Sequence, residues 1–168
     1  SLGGVCLDCD AIYHDLLKTD KALLAAIESR FPGVVKAGQL DRKALGSRVF
    51  ADPAALADLN AITHAAVKQK VLELLPKDDS PAAIDAIGLF ESGLDRLCGV
   101  TVGILAPKAD RLRRIMARDG IPEGYAQMRL DAQPEDGYFR EKCDYILENT
   151  GTEAEFCRKS LDFFQKFL

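Results

Sequence analysis

Two aspartates near the start of the chain have types and spacing suited to chemistry. Asp8 ends the short apolar run Val5-Cys6-Leu7, and Asp10 precedes a stretch whose Ile12, Leu16 and Leu17 recur at helical spacing. The pattern predicts a strand, an acidic loop and a helix from Ala11 to Leu17. Both carboxylates then sit at the carboxyl edge of a strand, where open α/β sheets place their ligands. Carboxylates there can hold Mg²⁺ or take the proton of a hydroxyl nucleophile. A plainer role is also open to Asp10, as the cap of the helix at Ala11.

Other candidates lie further along. Asp85 through Gly93 reads as the end of a buried strand beginning at about Ala82, followed by a turn and an acidic exit, which puts Glu91 at the same sheet edge as the two aspartates. Between Lys108 and Arg118 stand Lys108, Arg111, Arg113, Arg114 and Arg118 against the single acid Asp110, a local balance of +4. Arg114 and Arg118 are four residues apart and share a helix face, and Arg129 follows on the next helix. Guanidinium forks suit phosphate oxygens, and two short helices over a sheet edge suit a mobile lid; a solvated charged face is the plainer alternative. Cys6 and Cys9 have redox or zinc spacing, but Cys6 falls inside the strand run and no second cysteine pair completes a zinc site, so buried or incidental thiols fit better. His64 lies mid-helix at the margin of an apolar stripe, a common place for a structural histidine.

The elements that position these residues follow from punctuation and periodicity. Asp20 caps a helix to about Arg30 with Leu23, Leu24 and Ile27 on one face, and Pro32-Gly33 ends it. Asp41 caps a helix to about Phe50. Asp52-Pro53 opens another that runs to Leu75, with Leu56, Leu59, Thr63, Ala66, Val67, Val71 and Leu74 as its stripe, so Thr19 to Pro76 reads as helix throughout. Ala82–Ile87 and Gly99–Ala106 read as strands buried on both faces, each followed by a helix. The segment from Pro107 to Arg140 reads as a helix, a break at Gly120-Ile121-Pro122, a second helix through Ala132 and a break at Pro134. Tyr145–Asn149 is a last strand, and a last helix begins at Thr152. Strands alternating with helices argue a parallel α/β sheet.

Composition bounds the function. The 168 residues are 48% hydrophobic and 29% charged, an ordinary globular balance. The net charge of −4 gives no global basic field for nucleic acid or anionic membrane. No window approaches the roughly 18 uninterrupted apolar residues of a bilayer span. Five cysteines, an odd number, and the lack of an apolar signal core argue against a secreted disulfide framework and point to reducing cytoplasm. The chain opens Ser1-Leu2-Gly3-Gly4 without methionine, as a vector scar or a chain cut from something longer would.

Taken in order, these segments resemble dephospho-CoA kinase, the P-loop family of the last step of coenzyme A synthesis. The resemblance rests on Leu7-Asp8-Cys9-Asp10-Ala11-Ile12-Tyr13, matching the family's I-D-A-D segment, on Leu40-Asp41-Arg42-Lys43-Ala44-Leu45-Gly46 with Val49-Phe50, and on Ile62-Thr63-His64. It continues through Asp85 to Gly93, Arg114-Ile115-Met116-Ala117-Arg118-Asp119-Gly120, Arg129 with Gln133, and Asp144-Tyr145-Ile146 with Asn149 and Gly151. It implies a P-loop-kinase-like parallel sheet flanked by helices over residues 1–18, 80–109 and 141–168, a helical acceptor domain over 19–79 and a lid over 110–140. The implied reaction moves the γ-phosphoryl of ATP, with Mg²⁺, to the ribose 3′-hydroxyl of dephospho-CoA. Asp10 then matches the acid that orients or deprotonates the hydroxyl, and Asp8 supports it or the Mg²⁺ shell. Arg114, Arg118 and Arg129 meet phosphates, Asn149 lies near the adenine, and Tyr13, His64, Asp85 and Glu91 belong to the acceptor side.

Two departures stand out. Ala65, Ile87 and Gly88 occupy places where many members read H-P and D-x-P-L-L, which alters backbone stiffness but removes no chemical group. The larger departure is the phosphate loop. Gly33 and Gly38 have the glycine spacing of G-x-x-x-x-G-K-[ST], but Gln39-Leu40 follows, so the lysine and hydroxyl are absent. The family carries that loop upstream of the I-D-A-D segment. The expectation is therefore of a kinase whose first strand and phosphate loop lie outside these residues, or of a non-catalytic remnant that binds a CoA-like nucleotide.

Overall fold

The computed structural model describes residues 3–50 and 52–167. They form two compact units, one spanning Gly3–Cys98 and a second from Gly99 onward.

In the first unit, β1 (Val5–Asp8) pairs in parallel with β4 (Ala82–Asp85), with Asp8 opposite Asp85 at the end of the ladder. Helix α1 (Cys9–Thr19) follows β1 directly, without the expected loop. Asp8, not Asp10, is its cap, accepting a bond from the Ala11 amide at 2.9 Å, and Asp10 stands in the first turn. The reason is geometric: a cap carboxylate reaches the amide three residues on, and here that amide belongs to Ala11. The caps at Asp20, Asp41 and Asp52 open α2 (Lys21–Arg30), α3 (Arg42–Val49) and α4 (Pro53–Leu74) as expected, each carboxylate satisfying amides of the first turn.

The stretch from Thr19 to Pro76 is not helix throughout. A small hairpin of β2 (Val35–Lys36) and β3 (Gln39–Leu40) interrupts it. Ala37 and Gly38 at its tip both take positive φ, 50° and 76°, as a tight two-residue turn requires. The Glu28 carboxylate pins the approach by accepting from the amides of Gly33 and Val35 at 2.5 and 2.7 Å.

The core lies among the helices of this unit. Leu16 and Leu17 of α1, Leu23 and Ile27 of α2, and Leu45 and Val49 of α3 pack with Leu59, Val67 and Val71 of α4. The buried row on α4 is Ala55, Leu59, Thr63, Val67 and Val71, every fourth residue, whereas Leu56 and Leu74 of the expected stripe are exposed. A row of fourth residues is a ridge that seats in the grooves of neighbouring helices. The buried Thr63 hydroxyl is satisfied by the Leu59 and Asn60 carbonyls.

Strand β4 departs from expectation in length and burial. It ends at Asp85, and Ala82, Ala83 and Asp85 are exposed, because among the described residues it pairs with β1 alone. No α-helix follows it. Gly88 through Gly93 is a chain of turns, closed by the Ser92 hydroxyl on the Gly88 carbonyl at 2.7 Å, and a single 3₁₀ turn spans Asp95–Leu97. Such side-chain bonds to nearby carbonyls compete with helix formation.

In the second unit, β5 (Val102–Leu105) pairs in parallel with β6 (Tyr145–Glu148). Strand β5 alternates instead of being buried on both faces: Gly103 and Leu105 are buried and Ile104 is 57% exposed. A Cβ at Gly103 would lie 2.8 Å from Ile146 Cδ1 and 3.2 Å from Cys143 Sγ, so a larger residue here would force the Ile146 side chain to shift. Helix α5 (Lys108–Asp119) ends at Gly120, left-handed at φ 63°, and α6 (Glu123–Asp131) follows the break read at Gly120-Ile121-Pro122. A further helix, α7 (Asp136–Lys142), was not expected. Helix α8 (Glu153–Phe164) opens on a reciprocal capping box between Thr152 and Glu155. At the start of the ladder, Asp144 Oδ2 accepts from both the amide and the hydroxyl of Thr101, at 2.8 and 2.7 Å. No helix among the described residues is long and apolar enough to cross a membrane.

Candidate functional site

The parallel register sets the acidic side of the site. β1 and β4 run in the same direction, so Asp8 and Asp85 end their strands side by side, and both are exposed. One oxygen of Asp8 is committed to the Ala11 amide. Asp10, exposed in the first turn of α1, has no hydrogen-bond or ion-pair partner among the described residues. Cys9 lies between them, buried. Its thiol is pushed up to about 11, first by burial and then by the charges of Asp85, Asp8 and Asp10. All three acids therefore act on one point, and the same field keeps Cys9 protonated. Cys6, by contrast, is exposed, so the two cysteines of the C-x-x-C spacing differ in burial and neither is in a disulfide. Thiol chemistry loses its support, since the thiolate is the reactive form.

Among the described residues, no group of three or more His, Cys, Asp or Glu side chains is placed to hold a metal ion. In phosphoryl transfer Mg²⁺ needs only one or two carboxylates, with substrate phosphates completing its shell. The open oxygen of Asp8 fits that partial role.

Of the other residues expected on the acceptor side, Glu91 lies on the turn beyond β4, His64 on α4 and Tyr13 on α1. A Cβ at Gly88 would lie 3.9 Å from His64 Nε2 and 3.8 Å from Glu91 Oε2, so α4 and the turn bring these two side chains together over the glycine. Lys68, one turn beyond His64 on α4, donates to the Gly93 carbonyl at 3.1 Å and holds the turn against the helix. Sequence reading missed Lys68, although its spacing of four from His64 was a usable signal. Tyr13 is half-buried on α1; burial raises its hydroxyl pKa, and the nearby charge of Arg42 works the other way.

The second unit carries the arginines. Arg114 Nη2 donates to Asn149 Oδ1 at 3.4 Å, joining α5 to the residue after β6, and the Asn149 amide is held by the Leu105 carbonyl at 2.6 Å. Arg118 donates through Nε and Nη2 to both oxygens of Asp119, at 2.7 and 3.1 Å, and Arg129 Nη1 reaches Asp119 Oδ2 at 2.6 Å. The bond from Arg118, with further help from Arg129, holds the Asp119 carboxyl below the usual carboxylate range.

The local excess of +4 does not survive folding as a free positive face. Lys108 pairs with Asp131 at 2.8 Å, Arg111 with Asp136 at 3.3 Å and Arg113 with Asp110 at 2.9 Å. Asp119, Asp131 and Asp136 lie outside the counted window, which is why the count overstated the field. Arg114 alone of that run bonds a neutral acceptor among the described residues.

Comparison with known proteins bears on the whole chain. Residues 1–155 match the family model described as CoaE, dephospho-CoA kinase. A dephospho-CoA kinase of Lactobacillus acidophilus is 33% identical over 159 residues, covering 91% of this chain and 80% of that protein. One from Thermus thermophilus is 34% identical over 153 residues, covering 90% and 74%. Among solved structures, TT1252 from Thermus thermophilus superposes with a TM-score of 0.80 at 32% identity over 99% of this chain and 85% of that one. The dephospho-CoA kinase from Campylobacter jejuni gives 0.68 at 31% identity over 99% and 86%.

Proposed function

The chain belongs to the dephospho-CoA kinase family, whose fold it shares, and we propose on that basis that its acids and arginines serve transfer of the ATP γ-phosphoryl to the ribose 3′-hydroxyl of dephospho-CoA. The observation that carries the reading is the parallel register that ends β1 and β4 on Asp8 and Asp85, with the unpartnered Asp10 one residue into α1.

In this reading Asp10 accepts the proton of the 3′-hydroxyl as that oxygen bonds to the γ-phosphorus. The bond from phosphorus to the bridging oxygen breaks, and the electron pair leaves with ADP. Asp8 steadies the entry to α1 through its cap and offers its other oxygen to Mg²⁺. The ion would neutralise charge along the phosphates. His64 faces the acceptor from α4 and Glu91 from the turn that Lys68 holds, and Tyr13 lines the same side. Arg114, Arg118 and Arg129 stabilise the phosphate chain, with Asn149 placed for the adenine. Phosphoryl transfer suits such a division of labour, because most of its catalysis is positioning and charge stabilisation.

The 168 residues contain no G-x-x-x-x-G-K-[ST] segment. The amide cradle and lysine for the β- and γ-phosphates are therefore not among them, and turnover by these residues alone is expected to be slow. The alternative to be tested is a family member that binds a CoA-like nucleotide without transfer. The test compares the chain as it stands with one extended at its N-terminus by a strand, a G-x-x-x-x-G-K-[ST] loop and a helix. Dephospho-CoA should bind both forms, and CoA formation should rise at least ~100-fold in the extended form, as restored transition-state hydrogen bonds would give. Binding without ADP release in either form would establish the remnant instead.

A further inference from the structure

Asp119 occupies an unfavourable place for an acid. It is the last residue of α5, where the helix presents its unpaired carbonyls and the negative end of its dipole. The left-handed Gly120 ends the helix immediately afterwards, so the carboxylate gains nothing from α5 itself. What it gains is two guanidinium groups from two different helices. Arg118 uses Nε and one Nη in a two-pronged contact, the strongest geometry available to this pair. Arg129, from the last turn of α6, reaches the oxygen that already accepts from Arg118 Nη2. A single oxygen thus joins the two guanidinium groups.

Without an acid between them, two cations so close would repel and swing apart on flexible stems. Arg129 has a second support, the Tyr125 ring one turn before it, with the guanidinium carbon 5.6 Å from the ring centre. Neither arginine exhausts its donors on Asp119. Arg118 retains the second nitrogen of its fork, and Arg129 retains Nε and Nη2. Both side chains are half-exposed or more, whereas that of Asp119 is 21% exposed, so the acid lies beneath and the open donors face outward.

We propose that Asp119 is a positioning residue, whose carboxylate holds Arg118 and Arg129 side by side as a two-pronged clamp for the phosphate chain of the nucleotide. The proposal deepens the kinase reading and rests on it for the identity of the anion. It makes a prediction opposite in sign to simple charge. Removing one negative charge beside two arginines should tighten anion binding if the acid only competes for them. If the acid positions them, anion binding should weaken.

The test uses the loop-extended form and its Asp119→Asn, Asp119→Glu and Asp110→Asn variants, the last removing only the partner of Arg113. MgATP binding is measured by calorimetry, and the arginine Nε–H signals by nitrogen-15 NMR. Asp119→Asn is expected to weaken MgATP about tenfold, the scale of one charge-assisted hydrogen bond, with its melting temperature unchanged. It should also shift and broaden the Arg118 signal. Asp119→Glu should recover part of the affinity, and Asp110→Asn should match wild type. Equal or tighter binding by Asp119→Asn overturns the proposal, as does an Arg118 signal the substitution leaves in place. Failure of wild type to take up MgATP, with the Arg118 signal still dependent on Asp119, overturns the phosphate-binding reading of the arginines and with it the clamp's purpose.

Discussion

In the first unit the candidate carboxylates meet hardly any cations, while in the second nearly every candidate cation meets a carboxylate. Asp10 and Asp85 have no hydrogen-bond partner among the described residues, and Asp8 spends one oxygen on an amide. Arg118 and Arg129, by contrast, share Asp119, and Lys108, Arg111 and Arg113 each have an acid of their own. The difference matches the two tasks proposed for them. A group that must accept a proton or meet a metal needs open lone pairs. A group that must meet a preset array of phosphate oxygens needs its long side chain held still, because ordering it during binding would cost affinity.

The difference is most exposed to attack at Asp10. Asp10→Asn keeps size and polarity but cannot take up the hydroxyl proton. Measured in the loop-extended form, its kcat should fall about 10²- to 10⁴-fold with little change in KM for dephospho-CoA. A matching loss of dephospho-CoA binding would make Asp10 a structural residue and remove the contrast.

The next largest effect concerns where stability resides. Ile27 is fully buried in the helical core of the first unit, and its truncation to alanine should cost about 2–5 kcal/mol in denaturant melts. Signals from the second unit, such as Arg114 Nε–H, should survive to higher denaturant than those of the first. One shared transition with unchanged order would show that the units do not differ in this way.

The smallest effect depends on pH. Asp144 has its pKa lowered, first by the bond from the Thr101 hydroxyl and then by the Thr101 amide. A depressed carboxyl contributes stability that is fully present above the unfolded value near ~3.9 and is lost as pH falls through the folded one. Wild type should therefore melt a few degrees above Asp144→Asn at pH 7, and the gap should close as pH falls below about 4. A gap independent of pH would assign the effect to packing.

What the sequence could reveal was mostly local. The aspartate caps, the break at Gly120-Ile121-Pro122 and the strand ending at Asp8 depend on neighbours within a few residues, so their side-chain chemistry is visible in the string. The hairpin at Val35–Leu40 was not legible, because two-residue strands carry no periodicity and the Glu28 clasp acts from a preceding helix. The burial of β4 was misjudged because an apolar run does not reveal how many strands will pair with it. The placement of Asp8 and Asp10 at a strand end was legible because both follow directly on an apolar run. The pairing of the arginines was not, since Asp131 and Asp136 reach Lys108 and Arg111 only through folding.

On the proposed reading these residues deliver the γ-phosphoryl of ATP to a ribose hydroxyl. The most direct test of that reading incubates the loop-extended form with dephospho-CoA and ATP labelled at the γ-phosphorus, then locates the label by phosphorus NMR or mass spectrometry of the product. The account predicts label in a 3′-phosphate monoester on the acceptor, in step with ADP formed and abolished by Asp10→Asn. Label released only as inorganic phosphate, or carried to the acceptor as fast by Asp10→Asn, would contradict it.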